Sequence, residues 1–408
     1  MNLLVYCLDC HQLCSEFKVI LMIPYSKQSI TDKDIDEVVR VLKSDFLTQG
    51  PCVPQFEKAL EDKFGVQHAV VCSSGTAALH LAYAGLGVGP GSIGVVPAIT
   101  FSATANAFLY LGAEIRFCDV DQSTGLICCD SLEHLLKSIK HHSDLKSVVV
   151  SPVSFAGATA PLDQVYEIAQ KYGIQVVEDA SHSPGSYCET ARHLIKSATC
   201  EFSEAACLSF HPVKHICCGE GGAVLTNRDD IAKSVRSLRS HGIERPFDEN
   251  HESPWFYQQN ELGWNYRLTD LQAALGRSQL AGLDAQLSKR RRLATRYDHA
   301  LSHPPFTLLL DRPLISSGHA WHLYIIRFKE KGMRDRAHKF LKEKGIITQV
   351  HYVPVHKHPY YEKRIGSISL PGAEKFYESC LSIPMFPALT DEDQNQVVNE
   401  LRAFCESF

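Results

Sequence analysis

The chain has 408 residues, 45% hydrophobic and 21% charged, with 25 glycines and 19 prolines. That balance sits near the globular average and excludes collagenous, disordered and low-complexity proteins, while the length allows roughly two or three domains. Basic and acidic side chains number 41 and 46, a formal charge of −5 with no Lys/Arg block, which excludes nonspecific nucleic-acid binding.

Fifteen cysteines, an odd number at low density, read as reduced thiols of a cytoplasmic protein. The first residues contain Cys7-Leu8-Asp9-Cys10-His11, the spacing of c-type haem attachment, with Cys14 nearby. No export signal accompanies it, and Asp9, His11, Glu16 and Lys18 interrupt the apolar residues. Residues 1–21 therefore read as an extension, neither signal peptide nor membrane anchor, and the fold is expected to begin near Met22.

Thr31 then reads as an N-cap before Ile35, Val38, Val39 and Leu42, spaced for one apolar helix face. Strand-like and helix-like segments alternate from there: strand 69–72 into a helix from Thr76, strand 93–97 before helix 102–111, and strand 115–119 before helix 131–141. Strand 148–152, helix 162–172 and strand 174–179 continue the pattern. Residues 65–113 carry no Asp, Glu, Lys or Arg, but Gly85, Gly87, Gly89, Pro90, Gly91, Gly94 and Pro97 cut them into pieces too short to span a bilayer. Nearly continuous apolar strands between helices predict a mostly parallel sheet covered on both faces, with ligands at the strands' carboxyl ends.

Beyond strands 206–210 and 222–226, helix 229–240 is followed by a helical run over 269–298, long enough to bridge two domains. Strands 321–328 and 346–350 with helices 334–344 and 372–379 predict a smaller α/β unit. The expected division is an extension 1–21, a large domain 22–270, and a bridging helix with a small domain 271–408.

Four pieces of this pattern carry chemistry. Ser73-Ser74-Gly75-Thr76 ends a strand and opens a helix, offering backbone N–H groups and a positive dipole end to a phosphate, although Ser and Thr also cap ordinary helices. Glu178-Asp179 ends another strand, where alternation sends one acid into the crevice and one away; Asp179 is the candidate, with a helix cap as the bland alternative. Lys214 lies just past a third strand and before Gly219-Glu220-Gly221-Gly222, although a lone lysine is ordinarily a solvated charge. Phe101 supplies a flat group. Together they meet the needs of pyridoxal phosphate: a phosphate cup at Gly75/Thr76, an imine-forming amine, an acid to keep the ring nitrogen protonated, and a packing surface.

The ordered blocks LTQGP (47–51), SSGTAALHLA (73–82), PAITFSATANA (97–107), EDASHSPG (178–185), SFHPVK (209–214), GEGGAV (219–224), WNYRLTDLQAALG (264–276), QVHYVPVH (349–356) and LSIPMFPALTDEDQ (381–394) resemble the DegT-type nucleotide-sugar aminotransferases. These form a branch of the fold type I pyridoxal-phosphate enzymes. The resemblance implies that α/β fold, with a large domain built on a mostly parallel mixed sheet between helices and a smaller C-terminal α/β domain. It implies that Lys214 holds the cofactor and shuttles a proton, that Asp179 meets the ring nitrogen, that Phe101 stacks on the ring and that His182 lies near it. Gly75, Thr76 and Ser209 would hold the phosphate, with Asn265 arriving from the second subunit of a homodimer. Tyr25, Thr48, His351 and Tyr352 would line the substrate site, with Arg267 as a further anion contact.

HPVK, GEGG and QVHYVPVH most resemble the pseudaminic acid branch, which implies a UDP-linked 4-keto-6-deoxy-N-acetyl sugar as acceptor and L-glutamate as donor. GDP-perosamine or dTDP-amino sugar formation is the alternative. A noncatalytic pyridoxal-phosphate-binding regulator would need a DNA-binding module, for which residues 1–21 are too short. Some relatives replace the lysine by histidine and become dehydratases; Lys214 argues against that chemistry. His351, His356 and His358 lack a fixed ligand geometry, so no metal is expected. Two departures from the family pattern, Cys217-Cys218 in place of small hydroxyl residues and the segment 187–201, bear on substrate fit.

Overall fold

Local chemistry starts the first helix, α1 (Asp32–Leu42): Thr31 accepts from the Asp34 amide while the Asp34 carboxylate accepts from the Thr31 amide. Such a reciprocal cap is worth about 1 kcal/mol. In this computed structural model, residues 22–139, 147–191, 194–244, 255–313 and 318–408 are described. The extension 1–21, with its cysteine motif, lies outside them.

Helix α2 (Cys52–Phe64) ends at Gly65, which takes φ 68 and lets its N–H close on the Glu61 carbonyl. It leads to strand β1 (His68–Cys72), helix α3 (Gly75–Gly85), strand β2 (Ser92–Pro97), helix α4 (Ala103–Tyr110), strand β3 (Glu114–Cys118), helix α5 (Cys129–Ile139) and strand β4 (Ser147–Val150). Helix α6 (Leu162–Gln170), strands β5 (Gln175–Asp179), β6 (Ala205–Ser209) and β7 (Gly222–Thr226), and helix α7 (Asp229–Arg239) complete the large unit. Its sheet runs in the order β1-β7-β6-β5-β4-β2-β3. Only β7 opposes the rest: it pairs antiparallel with β1 and β6, while the remaining ladders are parallel.

Every residue of β2 and β7 is buried, as a sheet covered on both faces requires. One apolar layer joins α3, α4 and the sheet through Leu79, Tyr83, Phe108 and Val224; the other packs Phe56, Leu60, Phe210 and Leu280 beneath it. Glycine permits the tightest of these contacts, since a Cβ on Gly94 would lie 2.4 Å from the Phe108 ring.

The expected single helix over 269–298 is two, α8 (Asp270–Ala281) and α9 (Leu283–Ala300), broken at Gly282, whose amide turns back to the Gln279 carbonyl; Gly276, an equally poor helix former, stays inside α8. Helix α8 packs on α1 and α2, whereas Leu293, Ala294 and Tyr297 of α9 enter a separate core. That core contains the sheet of β8 (Leu310–Asp311), β9 (Tyr324–Phe328) and β10 (Cys380–Ile383), helix α10 (Met333–Glu343) and the final helix α12 (Asp391–Glu406), with α11 (Pro371–Ser379) alongside. Ile23, from the other end of the chain, joins it by pairing with Ile346.

Two more expectations need correction. Strand 321–328 begins only at Tyr324, because the preceding N–H groups of Ala320 and Leu323 go to the carbonyls of Gly157 and Ala156. Segment 346–350 is not a strand: it makes single bridges at Ile346 and Gln349, and the Val350 amide is diverted to the Gln349 side chain. Helix α2, α12 and the short helix Pro359–Ile365 were not expected from sequence pattern.

Candidate active site

The parallel strands deliver their carboxyl ends to one cavity of about 650 Å³, a size suited to a small-molecule ligand. Asp179 closes β5 and lines this cavity at 5% exposure. Its Oδ2 accepts from the Thr104 hydroxyl at 2.8 Å and its Oδ1 from the Ser181 amide at 3.1 Å. No helix follows, so the carboxylate is not a helix cap; residues after Asp179 form a turn. Glu178 faces the other way and is satisfied by the hydroxyls of Ser154 and Ser197 and the amide of Ala198. Strand alternation thus gives two adjacent acids opposite duties.

The end of β1 turns through Ser73 and Ser74 into α3. Ser74 spends its side chain on the Ala77 amide, leaving the first N–H groups of the helix, at Gly75 and Thr76, beside the cavity. Glycine is required here by space: a Cβ on Gly75 would sit 2.8 Å from Ser209 Cβ, and one on Gly222 only 2.4 Å from the Ser74 carbonyl oxygen. Ser209, the last residue of β6, lines the same corner.

After β6 the chain makes a turn in which the Lys214 amide donates to the His211 carbonyl, and Lys214 enters the cavity. Desolvation pushes its ammonium down to about 8, against the opposing attraction of Asp179. A neutral amine is therefore accessible near physiological pH. Gly221 and Phe210 close the loop behind it through an amide-to-carbonyl bond of 2.8 Å.

Phe101 stands at 62% exposure on the lining, 6.1 Å from the Tyr352 ring. The opposite wall comes from residues 349–353, where His351 bonds Ser382 at 2.8 Å and lies 5.6 Å from the Tyr25 ring. Burial pushes the His351 imidazolium down to about 3. His182, fully enclosed and well below its usual range through desolvation and the nearby Lys214, completes this side.

The fold thus gathers Tyr25, Gly75, Thr76, Phe101, Asp179, His182, Ser209, Lys214, His351 and Tyr352 around one space. Thr48, Asn265 and Arg267 are not on its lining. Thr48 pairs instead with Thr269, and Asn265, exposed, pairs with Ser240. Cys217 and Cys218 are buried off the cavity, and the described residues of segment 187–201, including the partly exposed pair of strands Tyr187–Glu189 and Leu194–Lys196, are not on its lining either. Sequence reasoning missed Thr104 and Ser181, which hold the Asp179 carboxylate; the Thr100–Thr104 spacing, one helical turn, was the available signal.

A large mostly parallel sheet between helices, with this cavity at its strand ends, is the architecture of the fold type I aminotransferases. The chain belongs to the DegT/DnrJ/EryC1/StrS aminotransferase family, matched over residues 28–402, and is a sugar aminotransferase. Enzymes of this family depend on pyridoxal phosphate. The spore coat polysaccharide biosynthesis protein SpsC of Bacillus subtilis (strain 168) is 35% identical over 390 residues, 93% of this chain and 96% of that protein. The structure of Helicobacter pylori PseC, an aminotransferase of pseudaminic acid biosynthesis, superposes with a TM-score of 0.85 at 29% identity, covering 95% of this chain and all of the other. The pyridoxamine-phosphate form of the putative sugar aminotransferase Spr1654 of Streptococcus pneumoniae also reaches 0.85, at 26% identity over 94% of this chain and 99% of that one. Among the described residues no helix is long and apolar enough to cross a membrane.

Proposed function

We propose that the protein moves an amino group from L-glutamate to carbon 4 of a UDP-linked 4-keto-6-deoxy-N-acetyl sugar, as in a pseudaminic acid pathway. The corresponding enzyme forms UDP-4-amino-4,6-dideoxy-N-acetyl-β-L-altrosamine. The observation carrying the reaction type is the meeting of Lys214, Asp179 and the glycine-lined start of α3 in one cavity. The similarity to Helicobacter pylori PseC supports the sugar.

The donor set fits pyridoxal phosphate: an anion cradle in which a Cβ at Gly75 has no room, a buried carboxylate, and an amine with a depressed pKa. Gly75, Thr76 and Ser209 would hold its phosphate, Asp179 its ring nitrogen, Phe101 its face and Lys214 its aldehyde carbon. The cofactor supplies an electron sink for the carbon that loses a proton. Lys214 moves that proton, and its depressed pKa leaves it neutral often enough to accept one. Asp179, held by Thr104 and Ser181, keeps a negative charge aimed at one place and so favours a protonated ring. Tyr25, His351 and Tyr352 would orient the sugar; Thr48 and Arg267, off this chain's cavity, and Asn265 would act on the site of a second copy in a homodimer. The cavity draws its walls from residues 25–220 and 349–358; the bodies proposed to enclose it are 22–270 and 271–408, with α8 packed against the first and Ile23 against the second.

Absorbance of the protein mixed with pyridoxal phosphate tests the lysine. A visible band is expected, bleached by glutamate and missing in Lys214→Ala; an identical band in the variant rejects the assignment. Turnover of UDP-, GDP- and dTDP-linked keto sugars tests the acceptor, and activity confined to the GDP or dTDP compounds selects the alternative. The SpsC similarity favours keeping other nucleotide sugars in that panel.

A further inference from the structure

Residues 155–157 form a tight turn in which Ala156 takes φ 58, a left-handed conformation that a residue with a Cβ rarely adopts. The turn is locked to the segment entering β9. Ala320 donates to the Gly157 carbonyl at 2.8 Å and Leu323 to the Ala156 carbonyl at 3.0 Å. A Cβ on Gly157 would lie 2.6 Å from the Trp321 nitrogen and 2.7 Å from that of His322. Trp321 is itself left-handed, at φ 51.

One product of this strained pairing is the direction of the Ala156 N–H, which points at His182 Nδ1 from 3.4 Å. A backbone amide can only donate, so Nδ1 is the bare, accepting nitrogen. In a neutral imidazole the proton then sits on Nε2, which lies 3.3 Å from the Tyr352 hydroxyl oxygen. Nε2–H is the donor in that contact, and the Tyr352 oxygen accepts. The phenol's own hydrogen is left over. Among the described residues no other partner of the Tyr352 hydroxyl is recorded, and Tyr352 lines the cavity.

The surroundings keep the ring neutral. His322 lies against it with ring centres 4.3 Å apart, and His215 lies 5.5 Å beyond His322. Burial is the main cause, and Lys214, His351 and His215 add to it, all disfavouring a second proton; His322 and the Tyr352 phenol are the other titratable groups against the ring. Asp179 shares the cavity, but its oxygens are taken by Thr104 and Ser181.

We propose that His182 is a positioning residue, held in the Nε2–H form by the Ala156 amide, whose task is to aim the Tyr352 O–H as a donor at an oxygen of the keto sugar. The sugar's identity rests on the function proposed above; the tautomer and the aimed donor do not. Tyr352 belongs with His351 and Tyr25 on the wall facing the strand ends, the side left for substrate once the cofactor lies against Asp179 and Gly75.

The first test uses full-length protein labelled with [15N]histidine and free of cofactor, the His182 signals being identified by their loss in His182→Gln. Expected is a protonated Nε2 and bare Nδ1, unchanged from about pH 6 to 8.5, where an ordinary histidine titrates. A protonated Nδ1, or titration in that window, overturns the proposal without touching the aminotransferase reading. The second test separates sugar from cofactor. Tyr352→Phe is expected to raise KM for the keto sugar about tenfold, the scale of one lost hydrogen bond, with unchanged pyridoxal-phosphate affinity and an unchanged glutamate reaction. His182→Leu should raise KM for the keto sugar to the same degree, the double variant should raise it no further, and His182→Gln, which retains an acceptor and a donor, should recover it relative to His182→Leu. An unaltered KM, or a loss of cofactor affinity in its place, rejects the donor role.

Discussion

The two walls of the cavity are built on different principles. Asp179 and Ser209 are the last paired residues of their strand ladders, and Gly75 is the first residue of α3. Residues 349–353 belong to no strand and are tied by single contacts, such as Gln349 with Ser382 and His351 with the Ser382 hydroxyl. A ladder fixes a side chain to a fraction of an ångström, which charge placement against a reacting ring demands. An irregular segment can be reshaped with little loss of fold, which recognition of varied sugars permits. Damage to the first wall should therefore stop the glutamate and sugar reactions alike, and damage to the second only the sugar reaction.

The hardest blow to the strand wall is Asp179→Asn, which keeps shape and loses charge. Both reactions should slow on the order of 10³-fold, read by single-turnover absorbance; slowing of the sugar reaction alone would break the comparison. Lys214 offers a measurement on the cofactor-free protein. Its folded pKa, about 8, lies below that of the unfolded chain near 10.5. Between these values the unfolded chain binds more protons, so stability should rise as pH increases through that window, by at most about 3 kcal/mol. Lys214→Met should flatten that part of the denaturant-unfolding profile, and a slope left intact in the variant would refute the assignment.

Gly75→Ala sharpens the comparison on the phosphate side. The new methyl meets Ser209, whose displacement costs the fold about 1–3 kcal/mol and crowds the cradle, so the thermal midpoint should drop by a few degrees and pyridoxal-phosphate affinity should fall by about 10-fold or more. Unchanged affinity, measured by titrating the visible band, would place the phosphate elsewhere. The smallest effect belongs to the irregular wall: Tyr25→Phe should raise KM for the nucleotide sugar about fivefold and leave the glutamate reaction intact. A defect in the glutamate reaction would erase the distinction between the walls.

Legibility in the sequence follows the same division. The alternation of apolar strands and helices exposed the parallel sheet, because both structures have short periods that a linear reading captures. Asp179 was found because it ends a strand, and Lys214 because it lies shortly past one. Thr104 was missed: its bond to Asp179 joins residues 75 apart in the chain. The break at Gly282 and the loss of strand 346–350 were missed for a different reason: a single local bond, from Gly282 to the Gln279 carbonyl or from Val350 to the Gln349 side chain, ends a pattern that periodicity would extend.

The sequence by itself determined the elements, the glycine-rich openings and the chemical types of the candidate groups, since these follow from local periodicity, capping and valence. Tertiary structure decided which of the candidates share a cavity, why Lys214 releases its proton near pH 8, and which His182 nitrogen faces an amide donor. Those properties come from desolvation and from the direction of hydrogen bonds between segments far apart in the chain, and neither exists until the segments meet.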